Sequence, residues 1–123
     1  STQMMSAAIK ASGLEEALNT RGPFTLLAPS DEAFRALPKE QLDALFKDPA
    51  RLRAFVLKHL VSGNLSSRDL AFLDSVPEVL GSQYAVAVRG RSLVIGEARL
   101  LNRDLQASNG TLHVIDRLLV PVA

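Results

Sequence analysis

Apolar positions in the first half of the chain recur at helical spacing. Met5, Ala8, Ile9 and Ser12 fall on one face near the N-terminus, and Gly13 supplies a stop. Leu14 to Leu18 predicts a short second helix, broken by Arg21-Gly22-Pro23. Phe24-Thr25-Leu26-Leu27-Ala28 is instead a continuous apolar run closed by Pro29, as expected of a short buried strand. Ser30 is a good N-cap, and Asp31 and Glu32 occupy the first helical turn, where the dipole favours acid. Ala33, Phe34 and Leu37 complete that helix before Pro38. Lys39 to Phe46 predicts another helix, with Leu42, Leu45 and Phe46 inward. Asp48-Pro49 is a capping acid followed by proline at the first helical position. The stripe Leu52, Phe55, Val56, His59 and Leu60 follows, and Ser62-Gly63-Asn64 is expected to end that helix.

The second half changes period. Gln83 to Val88 and Ser92 to Ile95 flank Arg89-Gly90-Arg91, which predicts a hairpin. Ala98 to Asn102 and Thr111 to Val120 read as further strands around the turn signal Asn109-Gly110. Helices first and strands later give an α+β fold rather than alternating βαβ units. The expected core comprises Leu26, Ala28, Phe34, Leu42, Leu45, Leu52, Phe55, Val56, Leu60, Val86, Val94, Leu112, Val114, Leu118 and Val120.

Composition narrows the function. The 123 residues fit one domain, residues 1–123, with enough chain to bury a core. Hydrophobic residues make up 47% and charged residues 22%, unlike a disordered segment or a membrane protein. With no cysteine there are no disulfides, thiol nucleophiles or cysteine metal sites. A net charge of +1 and an aromatic content of 5% argue against nucleic acid as a partner.

Candidate chemistry is sparse. His59 lies on an apolar helical stripe, the usual setting of a core histidine bonded to backbone or carboxylate. His113 and Asp116 lie three apart on a predicted strand, which points them to opposite faces and disfavours a catalytic relay. Structural anchoring is the better reading, with Asp116 expected to accept backbone N–H groups from the Thr25–Phe34 block. No nucleophile elbow, phosphate cradle or metal-ligand spacing occurs, so no enzyme activity, cofactor or metal is expected. Arg89 and Arg91 at a hairpin tip suit an anionic glycan, and equally suit a solvated edge that discourages strand pairing. Asn64-Leu65-Ser66 and Asn109-Gly110-Thr111 are glycosylation sequons, and Asn64, after a predicted helix end, is the more accessible.

Three segments together resemble the fasciclin-type adhesion domain. Thr25-Leu26-Leu27-Ala28-Pro29-Ser30-Asp31-Glu32-Ala33-Phe34 is similar to that family's first signature block. Asn109-Gly110-Thr111-Leu112-His113-Val114-Ile115-Asp116-Arg117-Leu118-Leu119-Val120-Pro121 is similar to its second. Lys58-His59-Leu60-Val61-Ser62-Gly63 sits where the family carries its Tyr-His segment, with Lys58 in place of the tyrosine. The helix that usually precedes Met4–Gly13 is expected to be trimmed. The resemblance implies a wedge of two β-sheets flanked by helices, mostly from the N-terminal half. It makes Thr25, Pro29, Asn109, Gly110, His113 and Asp116 motif residues of the scaffold.

It also implies a non-enzymatic extracellular or cell-surface module, one of several domains in a longer chain. Its partner would be a cell-surface receptor or matrix protein. Asn102-Arg103-Asp104-Leu105 matches a segment tied to integrin binding in matrix members of the family, and so does the segment around His59. A carboxylate such as that of Asp104 is what a receptor-held divalent cation would take, while Leu105 and Asp104 equally fit a core plug and a turn former. The alternative partner is an anionic polysaccharide, bound through Arg89 and Arg91 as in a scavenger-type receptor ectodomain.

Overall fold

The computed structural model of the chain describes residues 2–107 and 109–119. Its helices begin and end largely where local chemistry marks them. Helix α1 (Gln3–Ser12) stops on Gly13, whose φ of 79° is left-handed and whose N–H bonds Lys10 O. Helix α2 (Glu15–Thr20) and strand β1 (Phe24–Pro29) follow. The Ser30 hydroxyl accepts the Ala33 N–H and starts α3 (Asp31–Arg35). Helix α4 (Lys39–Lys47) leads to Asp48, whose carboxylate accepts the N–H groups of Ala50 and Arg51 and opens α5 (Pro49–Leu57).

Helix α5 ends sooner than its apolar stripe predicts. Beyond Leu57 the chain becomes strand β2 (Leu60–Ser62), antiparallel to β1 with Leu26 opposite Leu60. Pairing with β1 satisfies the backbone better than a further helical turn, because this segment reaches an open sheet edge. Two short elements come next, helix α6 (Ser67–Ala71) and strand β3 (Ser75–Pro77). The predicted hairpin is β4 (Gln83–Arg89) and β5 (Ser92–Ile95), followed by β6 (Ala98–Ala107) and β7 (Gly110–Ile115). Strand β7 is shorter than expected, ending at Ile115; Val120 and Pro121 lie outside the described residues.

The strands form one hydrogen-bonded order, β2-β1-β7-β6-β5-β4-β3, rather than two separate sheets. The two signature blocks lie side by side in it: β1 and β7 pair in parallel from Phe24–Gly110 to Pro29–Ile115. The sheet curls until its ends meet. Val79, just after β3, donates its N–H to Leu60 O on β2 at 2.9 Å.

The curl creates two cores. Met5, Ala8, Phe34, Leu45, Leu52, Phe55 and Val56 pack with Ala28 on the helical side. Leu27, Val61, Leu70, Val76, Leu93, Ile95, Ala98, Leu100 and Ile115 fill the inside of the curl. Alternation along β1 thus sends Ala28 one way and Leu27 the other. On β5 the buried side chains are Leu93 and Ile95, while Val94 is half-buried, the opposite parity from that expected. Leu26, Leu42, Val86, Leu112 and Leu118 line the cores half-buried.

Candidate functional site

Among the described residues, strand β6 carries the longest exposed run of strand residues, together with two shifts of register. Strand β5 pairs with it only at Ala98 and Arg99. Its register against β7 shifts between Leu100 and Asn102 and again between Asn102 and Leu105. Between these points Leu101, Asn102, Arg103, Asp104, Leu105 and Gln106 are all exposed. Leu101 and Leu105 keep 51% and 43% of their surface in solvent, so Leu105 is no core plug.

Asp104 is held at a φ of 58°, in the left-handed region that short polar residues tolerate best. Its N–H donates to His113 Nδ1 at 3.1 Å. One carboxylate oxygen accepts the Ser67 N–H at 2.7 Å and the other accepts the Ser67 hydroxyl at 2.6 Å. These bonds, the hydroxyl's first, hold the Asp104 carboxyl below the usual carboxylate range. A carboxylate has about four lone-pair positions, so a pre-oriented, ionised group retains capacity for a ligand.

A cationic patch adjoins this segment. Arg89 and Arg91 are exposed at the β4–β5 turn, and the Arg103 guanidinium donates to Arg91 O at 2.7 Å. That bond ties β6 to the hairpin tip.

The two histidines sit inside the protein. His59 is fully buried, and its ring packs on Phe55 with centroids 4.6 Å apart. Its Nδ1 donates to Phe55 O at 2.8 Å, because Nε2 accepts the Leu119 N–H at 3.0 Å. Burial lowers its pKa to about 4. The His59 side chain therefore forms no part of the surface. His113 has the other tautomer: Nδ1 accepts from Asp104 and Nε2 donates to Leu65 O at 2.9 Å.

The remaining motif residues brace loops. Thr25 is fully buried; its hydroxyl donates to Gly63 O at 2.7 Å and accepts the Leu65 N–H at 2.8 Å. Pro29 is buried at the end of β1. The Asn109 amide donates to Leu18 O at 2.9 Å. Gly110 passes so near Phe24 that any Cβ would overlap the Phe24 carbonyl. Asp116 accepts the Arg99 N–H at 2.8 Å, so its donor lies on β6 and not in the first signature block. Asp116 and His113 form no relay, since each bonds different partners. Asn64 is exposed, and its side-chain oxygen accepts the Thr111 hydroxyl.

One cluster was not foreseen from the sequence. Glu78 is buried, with one carboxylate oxygen on the Ser82 N–H at 3.0 Å and the other 3.6 Å from Lys58 Nζ. The Tyr84 hydroxyl donates to Lys58 O at 2.8 Å, and burial with the nearby Glu78 charge raises its pKa to about 12. Among the described residues, no group of three or more His, Asp or Glu could hold a metal ion, and no helix is long and apolar enough to cross a membrane.

Residues 1–121, which include both strands of the parallel β1–β7 pair, match the Fasciclin domain. The chain belongs to the fasciclin domain family. It is 36% identical over 97% of its length to transforming growth factor-beta-induced protein ig-h3 of Sus scrofa, of which it spans 18%. It is 33% identical over 92% of its length to protein sll1735 of Synechocystis sp., of which it spans 84%. Its fold matches a FAS1 domain pair from the insect cell adhesion molecule fasciclin I with a TM-score of 0.73 at 22% identity, covering 95% of this chain and 44% of that one.

Proposed function

We propose that this fasciclin domain is a non-enzymatic, extracellular adhesion and protein-interaction module, one of several domains in a longer chain, that binds a cell-surface receptor or matrix protein. The observation that carries the reading is the exposed β6 segment. Leu101 and Leu105 stand in solvent on either side of Asn102, Arg103 and an Asp104 carboxylate already oriented by Ser67. Apolar side chains beside a fixed acid suit a receptor that offers a divalent cation next to an apolar contact. The fold shared with the insect cell adhesion molecule fasciclin I supports the same class.

Attachment of animal cells to the immobilised domain tests this reading. Asp104→Asn keeps the tolerance for left-handed backbone and removes the charge. Attachment should fall roughly tenfold or more although the variant stays folded, with a stability loss of no more than about 1 kcal/mol, and chelation of divalent cations should abolish what remains. Undiminished attachment by Asp104→Asn would refute the role of the carboxylate.

A second reading is favoured by the Arg103–Arg91 bond, which gathers Arg89, Arg91 and Arg103 into one patch. Such a patch suits sulfate or carboxylate groups of an anionic polysaccharide. On a heparin column the protein would then elute at a salt concentration lowered by Arg89→Glu with Arg91→Glu. Equal retention would discard this reading.

A further inference from the structure

The adhesion reading leaves unused a cleft of about 330 Å³ between α1, α2 and the lower end of the sheet. Ile9 and Leu18 form its helical walls, and Phe24, Leu26, Leu60 and Leu112 its floor. The volume lies within the range of small-molecule sites, roughly 300–1,000 Å³.

The cleft has a structural reason to stay open. The Asn109 amide is bonded to Leu18 O, which fixes the α2 wall to the turn before β7. The contact of Gly110 with Phe24 locks β7 to β1 beneath it. The α2 wall is thus held at a set distance from the floor, and Leu18, Phe24, Leu26 and Leu112 remain only half-buried. The polar groups on the floor are occupied elsewhere, Thr111 by Asn64 and Asn109 by Leu18.

The rim carries both signs of charge. Lys10 projects from the last turn of α1 and Glu15 from the first turn of α2, on opposite sides of the Gly13 corner. A simple fatty acid would meet Lys10 but face Glu15, and an alkylamine the reverse. A molecule that satisfies both has an ammonium and a carboxylate on one head and an apolar body behind it.

We propose that the cleft binds a free apolar α-amino acid, its carboxylate on Lys10, its ammonium on Glu15 and its side chain over Phe24, Leu26 and Leu112. The fit rests on the shape and charge of the cleft and is independent of receptor binding at β6.

The test is titration of the protein with L-leucine and L-phenylalanine, followed by amide chemical shifts, with hexanoate and hexylamine as probes bearing one charge each. Saturable shifts at Ser6, Ile9, Lys10, Leu18, Phe24 and Leu112 are expected, with dissociation constants of about millimolar. Hexanoate and hexylamine should each bind about fivefold more weakly than an amino acid of equal apolar bulk. Lys10→Glu should weaken amino-acid binding by about the same factor, and Lys10→Glu with Glu15→Lys should restore it to within about twofold, since a zwitterion can reverse its head. Both positions are exposed, so neither variant threatens folding. Absence of saturable shifts, shifts outside the cleft, hexanoate or hexylamine binding as tightly as the amino acids, or indifference to Lys10→Glu would each overturn the proposal.

Discussion

Lys58 Nζ lies 3.6 Å from the buried Glu78 Oε2, across the seam where the two ends of the curled sheet meet. That oxygen has no hydrogen-bond partner among the described residues, so the ammonium is its main compensation. Lys58 stands where the fasciclin resemblance places a tyrosine, and the acid and the lysine form a pair. Removing Lys58 should therefore harm the seam more than removing both charges. Lys58→Met is expected to cost about 1–2 kcal/mol, less than for a fully buried pair because the ammonium is partly exposed. Adding Glu78→Gln should recover part of that loss. Urea unfolding of both singles and the double variant reads the coupling; strict additivity would deny it.

His59 makes stability depend on pH. Its folded pKa is lowered to about 4 from the ordinary 6.5, chiefly by burial. The unfolded chain then binds more protons between those values, so stability is fully present above pH 6.5 and declines as pH falls toward 4. The decline is on the order of 3 kcal/mol over that window. His59→Met should be less stable at neutral pH, because the Leu119 N–H and Phe55 O lose their partner. Its stability should nevertheless vary far less between pH 6.5 and 4. A wild-type slope preserved in the variant would place the titration elsewhere.

The Asp104 carboxyl contributes in a separate window. Its pKa lies below that of an ordinary aspartate, so its contribution is present above the ordinary value and is lost as pH falls below it. At neutral pH, Asp104→Ala loses both Ser67 bonds and strains a left-handed position, which should cost about 1–2 kcal/mol. Asp104→Asn should cost about half as much, since asparagine accepts that backbone and one of the bonds. Thermal unfolding distinguishes the two, and equal losses would mean that the left-handed backbone contributes nothing.

Gly110 joins the signature blocks by close approach. A Cβ there would overlap Phe24 O, at a φ of 150°. Gly110→Ala should break the start of the β1–β7 ladder and cost about 3–5 kcal/mol, or prevent folding. Circular dichroism with thermal unfolding would show it, and a cost below about 1 kcal/mol would contradict the packing.

Much of the helical half is legible because caps are local. Ser30, Asp48-Pro49 and Gly13 mark their boundaries with side chains or backbone that act within a turn. Pairing is not local. His59 and Leu60 continue the α5 apolar stripe in sequence, yet Leu60 is paired with Leu26 of β1. An apolar run of this length fits a buried strand as well as a helix. Helix α6 carries a capping box of Ser66 and Asp69, a local signal readable at that spacing, but its five residues are too few to show a helical apolar stripe. The hairpin tip already marks Arg89 and Arg91 as exposed, but the exposure of Asp104 and Leu105 follows from tertiary structure, as do the two register shifts that each add a residue to β6 and undo simple alternation. The burial of Glu78 has no local signature, because its partner Lys58 lies at the end of α5, far from it in sequence.

The central claim is that β6 presents the partner-binding surface. Cell attachment to the immobilised wild-type domain, to Leu105→Arg and to Val88→Arg tests it most directly, since both leucine and valine are exposed and on different strands. Attachment should fall roughly tenfold or more for Leu105→Arg and stay at the wild-type level for Val88→Arg. Equal attachment by all three proteins would contradict the claim.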